Sequence, residues 1–170
     1  MTSSNCSARD WVNALNLLPH PEGGFYRETY RSPLIITHSA LQEKFPGDRS
    51  CATAIYYLLE SGDFSAFHRI RSDELWHFHD GGSLLIHILN ATGYQQLRLG
   101  KDWRNGDSLQ CMVPADTWFA ACPSPGTAYC LAGCTVSPGF DFNDFQLADA
   151  RELTKEFPEQ AQLIRQLVRD

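Results

Sequence analysis

The run Phe67-His68-Arg69-Ile70-Arg71-Ser72-Asp73-Glu74-Leu75-Trp76-His77-Phe78-His79 sets aromatic and β-branched residues on either side of a short polar turn, Arg71-Ser72-Asp73. This is the signature of two short strands joined by a turn, Phe64 to Ile70 and Leu75 to His79. Outward from it the same texture repeats: Gly24 to Arg31, Ala52 to Leu59, Leu84 to Leu89, Tyr94 to Leu99, Ser108 to Val113, Trp118 to Ala121 and Thr127 to Val136. Many short strands at even spacing predict an all-β sandwich or barrel. Ahead of them, Ser7-x-x-Asp10 precedes the apolar spacing Trp11, Ala14, Leu15, Leu18, which predicts a short capped helix ending before Pro19. Behind them, Leu153 and Phe157, then Leu163, Ile164, Leu167 and Val168, return to helical spacing. No repeat, low-complexity tract or linker interrupts the 170 residues, and the expected organisation is a single domain over 1–170, with its barrel at about 23–145 and a C-terminal helical segment at about 147–169. The stretch Thr37 to Asp48 reads as the longest surface loop.

Composition narrows the function. Fourteen Lys plus Arg stand against 20 Asp plus Glu, a formal net charge of -6, and the basic residues are scattered, which argues against nucleic acid. Apolar runs such as Ala52 to Leu59 fall far short of the roughly 20 residues a membrane helix needs, so no membrane partner is expected. The stretch Met1 to Asp10 has no apolar core of the kind a secretory signal carries, and the expected location is the cytoplasm. The six cysteines are read as reduced thiols, Cys130 and Cys134 as small core residues on one strand face.

Four of the six histidines (His68, His77, His79, His87) fall within one 20-residue stretch with Asp73 and Glu74. Imidazole and carboxylate together serve metal ligation or acid–base work, since both need a base that is neutral near pH 7; the bland alternative is a set of half-buried strand histidines with satisfied hydrogen bonds. On an unbroken strand Glu74, Trp76 and Phe78 share one face while His77 and His79 take the other, and only a bulge near Glu74 would turn His77 inward beside His68. On Gly24 to Arg31, Tyr26, Glu28 and Tyr30 alternate with Phe25, Arg27, Thr29 and Arg31, so one face can hold a ligand or a partner strand. Gln110 on a mostly apolar strand is the expected ligand-orienting group. Trp76, Phe78, Trp118 and Phe119 serve as core or, at a barrel mouth, as stacking surfaces for a flat ligand.

His68-x5-Glu74, followed by Gly81-Gly82 and later by Gly106, Pro114-Ala115-Asp116 and Trp118-Phe119, resembles the two motifs of the cupin superfamily. Three further strings resemble the uncharacterised cupin family 5, a domain of unknown function. They are Pro21-Glu22-Gly23-Gly24-Phe25-Tyr26-Arg27-Glu28-Thr29-Tyr30, Asp73-Glu74-x-Trp76-His77-Phe78 and Cys134-Thr135-Val136-x-Pro138-Gly139-Phe140-x-Phe142-x-Asp144-Phe145. The resemblance implies a double-stranded β-helix, a jelly-roll barrel with a short N-terminal helix and C-terminal helices, and a homodimer in which the N-terminal strand adds to the neighbouring subunit. Metal-bearing cupins carry His, His, Glu and His at positions that here hold His68, Ile70, Glu74 and Phe119. A divalent metal would therefore need a rebuilt set of His68, Glu74 and His77, with zinc, iron and manganese indistinguishable.

The string Gly23-Gly24-Phe25-Tyr26-Arg27-Glu28-Thr29-Tyr30 is also similar to one in the nucleotide-sugar keto epimerases, which implies His68 as a base, Glu74 or Asp73 as its orienting carboxylate and a tyrosine, Tyr26 or Tyr57, as the proton donor from the opposite face. The expectation is thus a small-molecule cavity with His68, Glu74 and Tyr26 as catalytic candidates and Arg27, Glu28, Trp76, His77, Gln110 and Phe119 as ligand-binding candidates. It would serve an isomerase or epimerase of a sugar-like or carbonyl substrate, or a non-catalytic binding or sensing protein that has lost the metal.

Overall fold

The computed structural model describes residues 6–41 and 44–169. Chain order runs α1 (Ala8–Ala14), β1 (Leu18–Pro19), β2 (Phe25–Arg31), β3 (Ile35–Ile36), α2 (His38–Leu41), β4 (Arg49–Ser50), β5 (Thr53–Glu60), β6 (Ser65–Arg69), β7 (Asp73–Gly81), β8 (Leu84–Asn90) and β9 (Gly93–Leu99). It continues with β10 (Gln110–Val113), β11 (Trp118–Pro123), β12 (Tyr129–Ser137), β13 (Gln146–Leu147), α3 (Ala150–Glu156) and α4 (Ala161–Gln166). All nine expected strand runs are strands. The expected 37–48 loop holds the single turn of α2, and its positions 42 and 43, like residues 1–5, lie outside the described residues.

Six strands form one sheet in the order β1-β2-β5-β12-β7-β10, and five form a second in the order β13-β6-β11-β8-β9. No ladder joins them among the described residues, so they face each other as a jelly-roll sandwich. Period-2 alternation explains the layers. Tyr57, Leu59, Trp76, Ile86, Ile88, Phe119 and Cys134 point between the sheets and make the main core. Leu58 and Leu131, of the opposite parity, pack outward beneath Ala8 and Leu17. On the far side Phe67, Leu89, Trp118 and Ala120 pack under Leu153, Ile164 and Leu167 of the C-terminal segment. Both packed helical segments are capped as their sequences dictate. Ser7 and Asp10 form a reciprocal capping box on α1, and the Asp149 side chain accepts from Arg151 and Glu152 at the start of α3.

The bulge near Glu74 that would be needed to turn His77 inward is absent from the described β7, whose irregularity lies further along. Register along β12 slips between Leu131, opposite Asp80, and Ala132, opposite Phe78, so the extra residue of β7 is His79. Strand β7 is therefore regular from Asp73 to Phe78, and Glu74 and Trp76 stay inward while His77 faces out.

Candidate functional site

The chain reverses between β1 and β2 through His20-Pro21-Glu22-Gly23-Gly24. The His20 amide donates to the Gly24 carbonyl and the Gly23 amide to the His20 carbonyl. Gly24 has φ +71°, and a Cβ there would lie 2.6 Å from the Leu58 carbonyl oxygen, so the turn demands glycine on two counts. This turn drives the Glu22 side chain in between the sheets. Ser65 donates its hydroxyl to Glu22 Oε1 at 2.9 Å, and the Ala66 amide donates to the Glu22 carbonyl.

His68 on β6 meets Glu22 there. Its Nδ1 lies 2.8 Å from the Ala66 carbonyl, which can only accept, so Nδ1 carries a proton. Its Nε2 lies 3.2 Å from Glu22 Oε2. That contact is a hydrogen bond only when a proton lies between the two atoms, as imidazolium with carboxylate or as imidazole with carboxylic acid. The ring is held by Phe119 at 4.1 Å and Phe145 at 5.3 Å between centroids. His20 completes the group. Its Nδ1 accepts from the Glu22 amide at 3.3 Å, and burial, opposed by Glu22 and reinforced by His68, holds its pKa below the ordinary imidazole value.

Glu74 enters from β7, 7% exposed. Burial, reinforced by the charge of Glu22 and opposed by a hydrogen bond with the Cys134 thiol, pushes its pKa up to about 8. It is a neutral acid at pH 7. These groups line a cavity of about 330 Å³. At its mouth Glu28 receives Arg31 through Nε at 3.0 Å and Nη2 at 2.7 Å, while Arg31 Nη1 donates to the Phe140 carbonyl. Phe140, Asp141 and Phe142, on the connection from β12 to β13, line the cavity as well.

Of the residues expected from sequence, His68, Glu74, Tyr26 and Glu28 line this cavity. Trp76 and Phe119 point inward but are packed solid, 1% and 0% exposed. Arg27, His77 and Gln110 lie on the other face of the six-stranded sheet, away from the cavity. In register across that face, Arg27 pairs with Tyr56 and His77 with Gln110. There the Arg27 guanidinium lies 5.9 Å from the Tyr56 ring centroid, and His77 bonds Gln110 through Nδ1 and Thr135 through Nε2. The parity of β10 is opposite to that expected, since Cys111 and Val113 turn inward and Gln110 outward with Met112. His20, Glu22, Asp141 and the two rim phenylalanines were not singled out. The available signal was a histidine and a carboxylate immediately ahead of Gly23-Gly24.

The donor set does not fit a metal. His77 is on the outer face, Ile70 and Phe119 stand where further ligands would be, and His68 Nε2 faces Glu22 at 3.2 Å. Among the described residues no three His, Cys, Asp or Glu side chains group as ligands. No described helix is long and apolar enough to cross a membrane.

A solved protein of Shewanella oneidensis matches this fold with TM-score 0.85 at 36% identity, covering 96% of this chain and 98% of that one. A hypothetical protein from Leishmania major matches with TM-score 0.87 at 31% identity, covering 97% and 100%. An uncharacterised protein of Saccharomyces cerevisiae is 26% identical over 166 residues, 91% of this chain and 83% of the relative. The Cupin_5 family model, described as cupin superfamily (DUF985), matches residues 9–148, and with the jelly roll and the turn-borne Glu22 against His68 already in place, the chain belongs to that family.

Proposed function

We propose that this single cupin domain binds a small polar molecule in the Glu22–His68–Glu74 cavity and moves a proton on it, as an isomerase or epimerase of a sugar-like or carbonyl compound. The observation that carries this reading is the His68–Glu22 contact at 3.2 Å, a buried imidazole and carboxyl in touch beside an open cavity. In its imidazole–carboxylic acid form the pair is bifunctional. Glu22 gives its proton to a ligand carbonyl oxygen while His68 Nε2 takes a proton from the adjacent carbon, leaving an enediol and the same pair as imidazolium and carboxylate. Return of the proton to carbon from His68, with Glu22 taking back the hydroxyl proton, restores the configuration; return from the Tyr26 phenol, on a different wall, again with Glu22 taking the hydroxyl proton, inverts it, and proton transfer from the His68 imidazolium to the Tyr26 phenolate through solvent resets the site. Ser65 and the Ala66 carbonyl fix the orientation of the carboxyl and the ring.

Incubation with aldoses and ketoses in D2O, followed by proton NMR, tests this. Wash-in of deuterium at the carbon next to the carbonyl is expected for the wild type, with a loss of about 10²-fold or more in His68→Gln and in Glu22→Gln. Equal wash-in in all three proteins would refute it. Saturable binding without wash-in would support the second reading, a non-catalytic binding protein, which Ile70 and Phe119 at the metal-ligand positions of other cupins favour. The same proposal includes a homodimer through the open β1 edge, where Leu18 is exposed, checked by molar mass in solution, and the free thiols of the described cysteines suit a reducing, cytoplasmic setting.

A further inference from the structure

Acidic side chains outnumber basic ones in the cavity lining. Glu22, Glu28, Glu74 and Asp141 line it, and the one guanidinium, Arg31, already gives three nitrogens to Glu28 and the Phe140 carbonyl. An anionic ligand finds no free cation there. Glu74 is the telling group. It is more than nine-tenths buried, its carboxyl lines the cavity, and no nitrogen or hydroxyl donor among the described residues reaches it; a thiol is its one neighbour of that kind. A buried carboxyl with unmet acceptor capacity, aimed into a cavity, is complementary to a donor that brings its own positive charge. The rim adds a second attraction for such a group. Phe140 and Phe142 line the cavity with ring centroids 5.0 Å apart at 82°, Phe145 backs both at 6.2 and 6.1 Å, and His20 stacks on Phe142. Ring faces of this kind attract a desolvated cation.

We infer that the cavity selects a compact, hydroxyl- or carbonyl-bearing primary amine, of the amino-sugar class, whose ammonium group pairs with Glu74. The inference rests on the acid–base reading of the same site and narrows its substrate. About 330 Å³ takes one such molecule. A sugar phosphate or nucleotide sugar finds Asp141 at the rim and a guanidinium already committed to Glu28 and the Phe140 carbonyl. The titratable and charged groups around the Glu74 carboxyl are Glu22 and Cys134 and, elsewhere in the cavity lining, His20, Tyr26, Glu28, Arg31, His68 and Asp141. Glu74 is neutral at pH 7, so an ammonium that draws it into the charged form releases one proton on binding, and affinity for the amine rises from pH 6 to pH 8.

Titration calorimetry at pH 7 with D-glucosamine, N-acetyl-D-glucosamine, D-glucose, glucose 6-phosphate and ethanolamine tests the inference on the intact protein. Glucosamine is expected to bind at least tenfold more tightly than its N-acetyl form or glucose, with proton release, and glucose 6-phosphate is expected not to bind. Glu74→Gln is expected to remove the preference for glucosamine over glucose and the proton release that accompanies amine binding. Glucose or the phosphate binding as tightly as glucosamine, or no saturable binding by either amine, overturns the inference, and the wild-type series alone decides this even if the variant does not fold. Deuterium wash-in without a preference for amines would sink this inference and leave the acid–base reading standing; an amine bound without wash-in would do the reverse.

Discussion

Glu74 shows how one buried acid couples the site to stability. Its pKa of about 8 lies above the ordinary carboxyl value of 4.5, so between those limits the folded chain holds a proton that the unfolded chain has lost. By linkage, stability falls as pH rises through this window, and the full cost of ionising the buried carboxyl is reached above pH 8. At about 1.4 kcal/mol per unit, the loss between pH 6 and pH 9 is roughly 3 kcal/mol. Glu74→Gln keeps the shape and stays neutral, so it is expected to match the wild type more closely at low pH, exceed it at pH 9 and lose this slope. Urea denaturation of both proteins at pH 6 and pH 9 checks this; parallel losses in the two would mean that Glu74 is not the group responsible.

At the level of elements, the connection from β12 to β13 carries the cavity rim and is tied down at a distance. Asp144, at the end of the 3₁₀ turn Phe142–Asp144, takes Arg49 of β4 through both oxygens at 2.6 and 2.7 Å, each side chain buried, with Arg71 at 3.5 Å. Removing one partner of such a pair strands the other charge, so Asp144→Asn is expected to cost about 3–5 kcal/mol in chemical denaturation and to weaken ligand binding at Phe140 and Phe142. A loss below about 1 kcal/mol would mean that the rim is held by its phenylalanines alone. This pair, like Glu22 with His68, joins residues far apart in the chain, 95 positions in the first case, and no local pattern reveals it. The strands were legible because alternation and turn residues are local, and His68 and Glu74 were legible because they sit on one motif with inward parity. Gln110 and Arg27 were misplaced because alternation fixes which residues share a face but leaves open which face turns in. On β10 the apolar Cys111 and Val113 decide that, and on β2 Tyr26 and Glu28 do. Glu22 was missed because only the folded β1–β2 turn, with its two glycines, brings a loop carboxylate between the sheets.

Across the molecule, His87 and Glu74 act on the pH dependence of stability with opposite sign from different sheets, and His20 and His79, both held low by burial, add to the side of His87. His87 of β8 is 5% exposed, bonded at Nδ1 to the Tyr94 hydroxyl at 2.9 Å and approached at Nε2 by the Cys122 thiol at 3.5 Å. Burial pushes its pKa down to about 4 from 6.5. The unfolded chain therefore gains a proton there first as pH falls, and stability drops between pH 6.5 and pH 4, by roughly 3 kcal/mol at 1.4 kcal/mol per unit. Glu74 acts in the other direction from pH 4.5 to pH 8. Between pH 4.5 and 6.5 the unfolded chain carries the His87 proton that the folded chain lacks, and the folded chain carries the Glu74 proton that the unfolded chain lacks, so the two slopes cancel. Below pH 4, Asp80 and Asp107, whose hydrogen bonds hold them below the ordinary carboxylate value, add to the acid side. The expected profile is a plateau from about pH 4.5 to 6.5 with a fall on each side, measurable as the melting temperature against pH. His87→Asn is expected to remove the cancellation, so that stability falls with rising pH from about 4.5, and Glu74→Gln to remove the alkaline limb and extend the acid-side fall up to about pH 6.5, the two effects adding because the groups lie on different strands of different sheets. A maximum near pH 8, or one substitution flattening both limbs, would show that neither buried group sets the profile.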